Sequence, residues 1–209
     1  MLLKDVKFKC PHCKSIVSQI MAASGNTMEA KFYSDGKTVG PYLLDDDRSI
    51  FLCPICSNYI WFEEAKLPSF IDKTFNSDTS AKLVEFEDHL KLLDTKYMED
   101  PAKELHIRRR IWWGFNDRLR DESSSVDQLI TSETEKDIWK TNLQRLIEIH
   151  QNEGSDEYDS MVLAELLRQA NRFDDSMKML DEIDNEELQR AKQKIYNACK
   201  EKNPYLIRI

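Results

Sequence analysis

The sequence predicts an α+β protein, in which a small β-rich N-terminal domain is followed by a larger all-α domain. Two Cys-Pro-x-Cys motifs begin at Cys10 and Cys53, and a β-hairpin pattern lies between them at residues 30–39. Beyond residue 79, apolar residues recur with helical spacing. We place the three segments at residues 1–66 (β domain), 67–78 (linker) and 79–209 (helical domain).

Composition limits the kinds of partner that the protein can bind. The chain has 209 residues and a net charge of −8, so a broad surface for phosphate backbones is disfavoured. Residues 1–66 hold eight basic and eight acidic groups, so the whole net charge comes from the remainder. Only five glycines occur, and no phosphate-binding loop or dinucleotide fingerprint is present.

The cellular compartment is predicted from two absences in the sequence. No run of about 18 apolar residues is present, and the first residues lack a secretory signal pattern. We therefore expect a cytoplasmic protein. In that compartment thiols stay reduced and available to a metal.

The β domain is predicted from short alternating segments around the two motifs. Residues 5–10 and 50–53 read as strands that enter the motifs, and residues 59–62 read as a buried strand that leaves the second. Residues 16–20 fit either a strand or a helix. Asp35-Gly36 predicts a two-residue turn with positive φ at both positions.

The two motifs predict a metal site of four thiolates. Cys10, Cys13, Cys53 and Cys56 supply the soft ligands that tetrahedral Zn²⁺ prefers. Four cysteines close the coordination sphere, so the expected zinc is structural and leaves no position for a catalytic water. Many such turns carry Gly after the second Cys; Lys14 and Ser57 stand there instead.

A redox role is the competing interpretation of the first motif. Cys-Pro-His-Cys resembles the active-site tetrapeptide of thioredoxin-like oxidants, which needs a cysteine that opens a helix in a βαβ setting. A second Cys-Pro-x-Cys motif in the same small domain favours the metal instead. His12 is expected to be an exposed residue of the turn, and Cys199, on a predicted helix, a buried apolar residue.

The remainder of the chain predicts a series of helices. Asp100-Pro101 and Ser132 to Glu135 are typical helix starts, the first with Asp as N-cap and the second as a capping box. The predicted helices cover residues 79–94, 101–120, 132–151, 158–170, 174–183 and 184–202. A serine-rich loop is expected at residues 122–127.

Residues 164–181 resemble one tetratricopeptide (TPR) repeat, a helix–turn–helix unit. Leu166, Leu167, Phe173 and Leu180 occupy its apolar positions, whereas Ala170-Asn171 and Ser176 depart from its usual residues. The whole arrangement also resembles uncharacterised bacterial proteins that join an N-terminal Cys-x-x-Cys zinc-ribbon-like segment to a TPR-like tail. The resemblance to these proteins implies no particular function, and an ordinary helical bundle is the alternative to a true repeat.

Protein–protein binding, as an adaptor or accessory subunit, is the expected function. Trp113 and Arg109 are candidate partner-binding residues, because Trp and Arg are enriched at binding hot spots. The alternative is nucleic-acid binding by the zinc-ribbon-like domain, which would need its lysines and Phe32 or Tyr33 on one exposed face. No catalytic motif, small-molecule substrate or membrane partner is indicated.

Overall fold

The computed structural model describes residues 1–44, 48–66, 79–121, 123–153 and 156–209. The linker predicted at residues 67–78, the Asp45 to Asp47 run and residue 122 of the serine-rich loop lie outside the described residues. The predicted α+β class is confirmed, because small antiparallel sheets at the N-terminus are followed by helices. None of the described helices is both long and apolar enough to cross a bilayer.

The chain forms two compact units. The cysteine unit contains residues 1–30 and 39–88, and the helical unit contains residues 31–38 and 89–209. The strands are β1 (Leu2–Lys9), β2 (Ile16–Ser24), β3 (Lys31–Phe32), β4 (Thr38–Val39), β5 (Ile50–Leu52), β6 (Tyr59–Trp61) and β7 (Lys82–Leu83). The helices are α1 (Phe86–Leu92), α2 (Pro101–Asp117), α3 (Glu133–Glu153), α4 (Glu157–Gln169), α5 (Phe173–Asp181) and α6 (Gln189–Lys200).

The cysteine unit is built from two antiparallel hairpins. β1 pairs with β2, and β5 pairs with β6 on one side and β7 on the other. Residues 16–20, which fit either a strand or a helix by pattern, belong to β2. Cys10 therefore does not open a helix, and the setting that a thioredoxin-like site requires is absent around this motif.

The predicted helix at residues 79–94 is wrong for its first part. The structure begins α1 at Phe86, whereas Lys82 and Leu83 form β7. The backbone N–H of Ser18 donates to the carbonyl of Thr79 at 3.1 Å, and that of Ala81 donates to Ser18 at 2.9 Å. These long-range hydrogen bonds satisfy backbone groups at the edge of a strand. The spacing of apolar residues within one segment cannot reveal such distant partners.

The helical unit follows the predicted helices closely from Asp100 onward. The Asp100 carboxylate accepts the N–H groups of Ala102 and Lys103 and caps α2, as expected. Ser132 Oγ accepts the N–H of Glu135 at 3.2 Å, so the Ser132 half of the predicted capping box forms. Each helix from α2 to α6 packs against the next one along the chain.

The hairpin at residues 31–38 belongs to the helical unit, although the predicted β domain included it. Its loop differs from the predicted two-residue turn, because Tyr33 N–H donates to the Lys37 carbonyl across three residues. Within this loop only Gly36 has positive φ, at 78°. This is the three-residue hairpin loop with Gly in the left-handed position.

Buried charges hold this hairpin against the helices. The Asp35 carboxylate is fully buried and accepts hydrogen bonds from Arg120 and from the side-chain amide of Asn116. Burial raises the pKa of the Asp35 carboxyl group, and the positive charge of Arg120 offsets part of that rise. The N–H of Ile209 donates to the Phe32 carbonyl at 2.8 Å, so the end of the described chain pairs with β3. Long-range pairing of this kind leaves no local sequence signal.

Candidate metal centre

Each Cys-Pro-x-Cys motif forms the turn of a β-hairpin. In the first, Lys9 of β1 is paired with Ile16 of β2; in the second, Leu52 of β5 is paired with Tyr59 of β6. The motif therefore leaves one strand and enters its neighbour within six residues. The short turn presents both sulfurs of a motif on the same side of the hairpin end.

The two turns have the same backbone hydrogen bonds. The N–H of Cys10 donates to the Ser15 carbonyl at 2.9 Å, and the N–H of Cys53 donates to the Asn58 carbonyl at 2.9 Å. The residue after each second cysteine donates its N–H to the carbonyl of the first cysteine, at 3.0 Å for Lys14 and 2.9 Å for Ser57. This repeated geometry gives the cysteine unit two equivalent ligand-bearing loops.

Both loops place a non-glycine residue in the left-handed region. Lys14 has φ of 65° and Ser57 has φ of 55°. These are the two positions at which many such turns carry Gly. Both turns are strained at the residue after the second cysteine.

The four sulfur atoms lie together. Cys10 Sγ is 3.8 Å from Cys56 Sγ, Cys13 Sγ is 3.7 Å from Cys53 Sγ, and all four sulfurs lie within 4.8 Å of one another. These distances are far longer than a disulfide bond of about 2.05 Å, and the cysteines are free. The four predicted ligands could hold one metal ion.

Comparison of the chain with protein-family models, curated proteins and solved structures gave no match. The function is therefore inferred from the residues and their geometry.

Each motif pairs a buried thiol with a more accessible one. Burial raises the pKa of Cys10 to about 12 and also raises the pKa of Cys53. Hydrogen bonding by the Ser15 side chain lowers the pKa of Cys13, and the Asn58 side chain lowers that of Cys56 to about 6. A bound cation ionises coordinating thiols outright. A metal ion would therefore lower the pKa of the buried Cys10 and Cys53 by more than that of Cys13 and Cys56.

An aromatic cluster packs in the same apolar core as the buried cysteines. Phe8, Phe51 and Phe62 have ring centroids 5.4 to 6.2 Å apart, and the buried Cys10 and Cys53 belong to the same apolar cluster. His12 is exposed, as expected, and its Nε2 lies 3.1 Å from the Tyr59 carbonyl. His12 thus connects the first loop to the strand that leaves the second.

A repeated sequence pattern could have revealed this symmetry earlier. Both loops read Phe-x-Cys-Pro-x-Cys, and an apolar pair follows each: Ile16-Val17 in the first and Tyr59-Ile60 in the second. Phe8 and Phe51 are both buried and in contact, and Val17 and Ile60 are both buried in the same cluster. The repeat predicts two hairpins that contribute equivalent ligands and equivalent core residues.

The candidate partner-binding residues lie on α2. Trp113 is half-buried, and its indole N–H donates to the Asp35 carbonyl at 3.0 Å. Arg109 is also half-buried, and burial lowers the pKa of its guanidinium. The Arg110 guanidinium lies over the Trp113 ring, at 5.5 Å from the centroid.

The nucleic-acid alternative stays a prediction: Phe32, one of its two candidate aromatic residues, is 45% exposed, whereas the lysines of β1 lie on both faces of the strand and Tyr33 is buried. Alternate residues of a strand point to opposite faces, so Lys4 of β1 lies on the opposite face from Lys7 and Lys9. Tyr33 is buried in the helical unit, where the Arg120 guanidinium lies 4.5 Å from its ring centroid. Tyr33 is therefore not a stacking platform for bases.

Proposed function

We propose that Cys10, Cys13, Cys53 and Cys56 bind one structural Zn²⁺ in a zinc-ribbon-like domain. The single observation that carries this proposal is the spacing of the sulfurs. Zn–S bonds of about 2.3 Å in a regular tetrahedron place neighbouring sulfurs about 3.8 Å apart. Two of the six sulfur–sulfur distances, at 3.7 and 3.8 Å, match that edge, and all six are within 4.8 Å.

A structural role follows from the closed ligand set. Four thiolates leave no open position for water or substrate, so the ion would serve the fold. The apolar cluster of the cysteine unit is small, and a domain of this size gains much of its stability from metal. The zinc would hold the two hairpins together at their ends.

For the protein as a whole, we propose a role as an adaptor or accessory subunit that binds another protein. The support comes from the helical unit, where each helix from α2 to α6 packs against the next one along the chain. Stacked helical hairpins of the TPR-like kind present grooves that accept peptide segments. Zinc would stabilise the cysteine unit without taking part in a reaction.

Two measurements on the purified protein test this proposal. Elemental analysis should give one zinc per chain, Cys56→Ser should lose most of it, and Cys199→Ser should retain it, because Cys199 is buried in the helical unit. Affinity capture from native extract, followed by quantification, should yield one partner in stoichiometric amount. Absence of any stoichiometric partner in repeated captures would contradict the adaptor role.

A further inference from the structure

The helical unit has an open groove with an apolar floor. Its volume is about 1030 Å³, and its wall includes the first half of α3 and the turn between α4 and α5. Trp139 and Leu143 lie at the floor and are almost fully buried. Pro204 and Tyr205 line it as well. An apolar floor between polar rims is the usual form of a site that takes apolar side chains.

The charged residues of the groove are mostly cationic, opposite in sign to the chain. Lys136, Lys140 and Arg172 line it together with a single carboxylate, Glu133. The groove thus carries a formal excess of two positive charges, whereas the chain carries −8. Potentials of opposite sign select anionic partners and repel cationic ones.

The existing ion pairs at the rim do not block such a partner. Lys136 Nζ lies 3.1 Å from Glu133, whose side chain is 85% exposed, and Arg172 Nη2 lies 2.8 Å from Asp175, which does not line the groove. Exposed pairs of this kind contribute about 0–1 kcal/mol. A ligand carboxylate can therefore replace either partner at small cost.

The dimensions of the groove fit a peptide segment. Its α3 wall runs from Glu133 to Gln144, which is about 16 Å at the helical rise of 1.5 Å per residue. About five residues of extended chain cover that length. The volume also stands at the upper end of the roughly 300–1,000 Å³ typical of small-molecule pockets.

We infer that this groove binds an extended acidic segment of a partner protein, with apolar side chains of the segment on Pro204 and Tyr205, which are more exposed than Trp139 and Leu143 beneath them. The inference rests on the proposed adaptor function, for which it names the binding surface and the class of ligand. Apolar contacts would supply most of the affinity. The cations at the rim would supply the preference for acidic sequence.

A direct binding measurement tests the inference. The probe is a fluorescein-labelled peptide of about eight residues (alternating glutamate and leucine), titrated with the full-length protein and followed by polarisation. We expect saturable binding that is at least about tenfold tighter than for the lysine–leucine peptide and the glutamate–serine peptide. Affinity should fall as salt concentration rises.

Variants assign the binding to the groove. Lys140→Glu reverses an exposed charge at the rim and should weaken binding about tenfold, since it replaces attraction by repulsion. Lys178→Glu is the matched control, because Lys178 is exposed on α5 and does not line the groove. It should change affinity less than about twofold. Circular dichroism verifies that both variants fold.

Several results would overturn the inference. These are no saturation by the glutamate–leucine peptide at about millimolar protein, equal binding of the lysine–leucine peptide, or equal effects of the two variants. Equal binding of a single-stranded oligonucleotide would also overturn it, because a general polyanion site would then explain the data. If a stoichiometric partner is captured equally by wild type and Lys140→Glu, the adaptor role stands and this groove is not its site.

Discussion

Glu104 of α2 binds Arg145 of α3 and Arg108 of its own helix, and its replacement gives a prediction with a definite pH dependence. Its carboxylate accepts hydrogen bonds from Arg108 Nε at 2.8 Å and from Nε and Nη2 of Arg145, both at 2.9 Å. The Glu104 side chain is only 9% exposed. Glu104→Gln keeps the shape of the side chain and removes the charge that both guanidinium groups share.

The magnitude follows from the pKa of this carboxyl group. Hydrogen bonding by Arg145 is the largest cause that lowers the pKa of Glu104 from 4.5 to about 2. At roughly 1.4 kcal/mol for each pH unit, the difference corresponds to about 3 kcal/mol of stability at neutral pH. Because the Arg145 side chain is 43% exposed, solvent screening reduces the expected value to about 2 kcal/mol.

The sign of the pH dependence follows from a lowered folded-state pKa. The stabilising contribution is fully present above pH 4.5 and is lost as the pH falls through about 2. Wild type should therefore exceed Glu104→Gln in free energy of unfolding by about 2 kcal/mol at pH 7. The two proteins should approach each other as the solution is acidified.

Guanidinium denaturation followed by circular dichroism at a series of pH values measures this difference. Glu133→Gln is the matched control, because Glu133 is 85% exposed and pairs only at the surface with Lys136. That control should change stability by no more than about 0.5 kcal/mol at any pH. A difference between wild type and Glu104→Gln that stays constant from pH 7 to acid would refute the reasoning.

Two further predictions concern the metal loops and the hairpin at residues 31–38. Lys14→Gly should stabilise the metal-loaded protein by about 0.5–1 kcal/mol, since it relieves positive φ at Lys14; unchanged or lower stability in thermal unfolding would contradict this. Asp35→Ala should destabilise the helical unit by about 3 kcal/mol, because it leaves the buried Arg120 without this carboxylate. Denaturant unfolding measures that loss, and metal content should be unchanged; a neutral effect on stability would contradict the assignment of the hairpin to the helical unit.

The sequence predicted those features that depend on local chemistry. Helix starts at Asp100 and Ser132 were predictable because a side-chain oxygen three or fewer residues away satisfies the first free amides. The ligand loops were predictable because cysteine pairs at this spacing bind metal. Burial of the apolar faces of α2 and α3 followed from helical periodicity.

The sequence could not predict the features that depend on distant partners. The apolar stripe of residues 79–94 (Leu83, Phe86, Leu90 and Leu93) is suited to a helix, yet Thr79 and Ala81 form backbone hydrogen bonds with Ser18, more than sixty residues earlier. Similarly, residues 31–38 were assigned to the β domain from their position between the cysteine motifs. Their burial against Arg120 and their pairing with Ile209 depend on tertiary structure, which overrides local propensity.

X-ray absorption at the zinc edge of the purified protein tests the central claim most directly. The proposed site predicts a single shell of four sulfur atoms at about 2.3 Å from zinc, with no nitrogen or oxygen ligand. Loss of most of the bound zinc in Cys10→Ser, with retention in Cys199→Ser, would assign the shell to this site. A metal-free protein, a mixed nitrogen or oxygen shell, or iron in place of zinc would contradict the account.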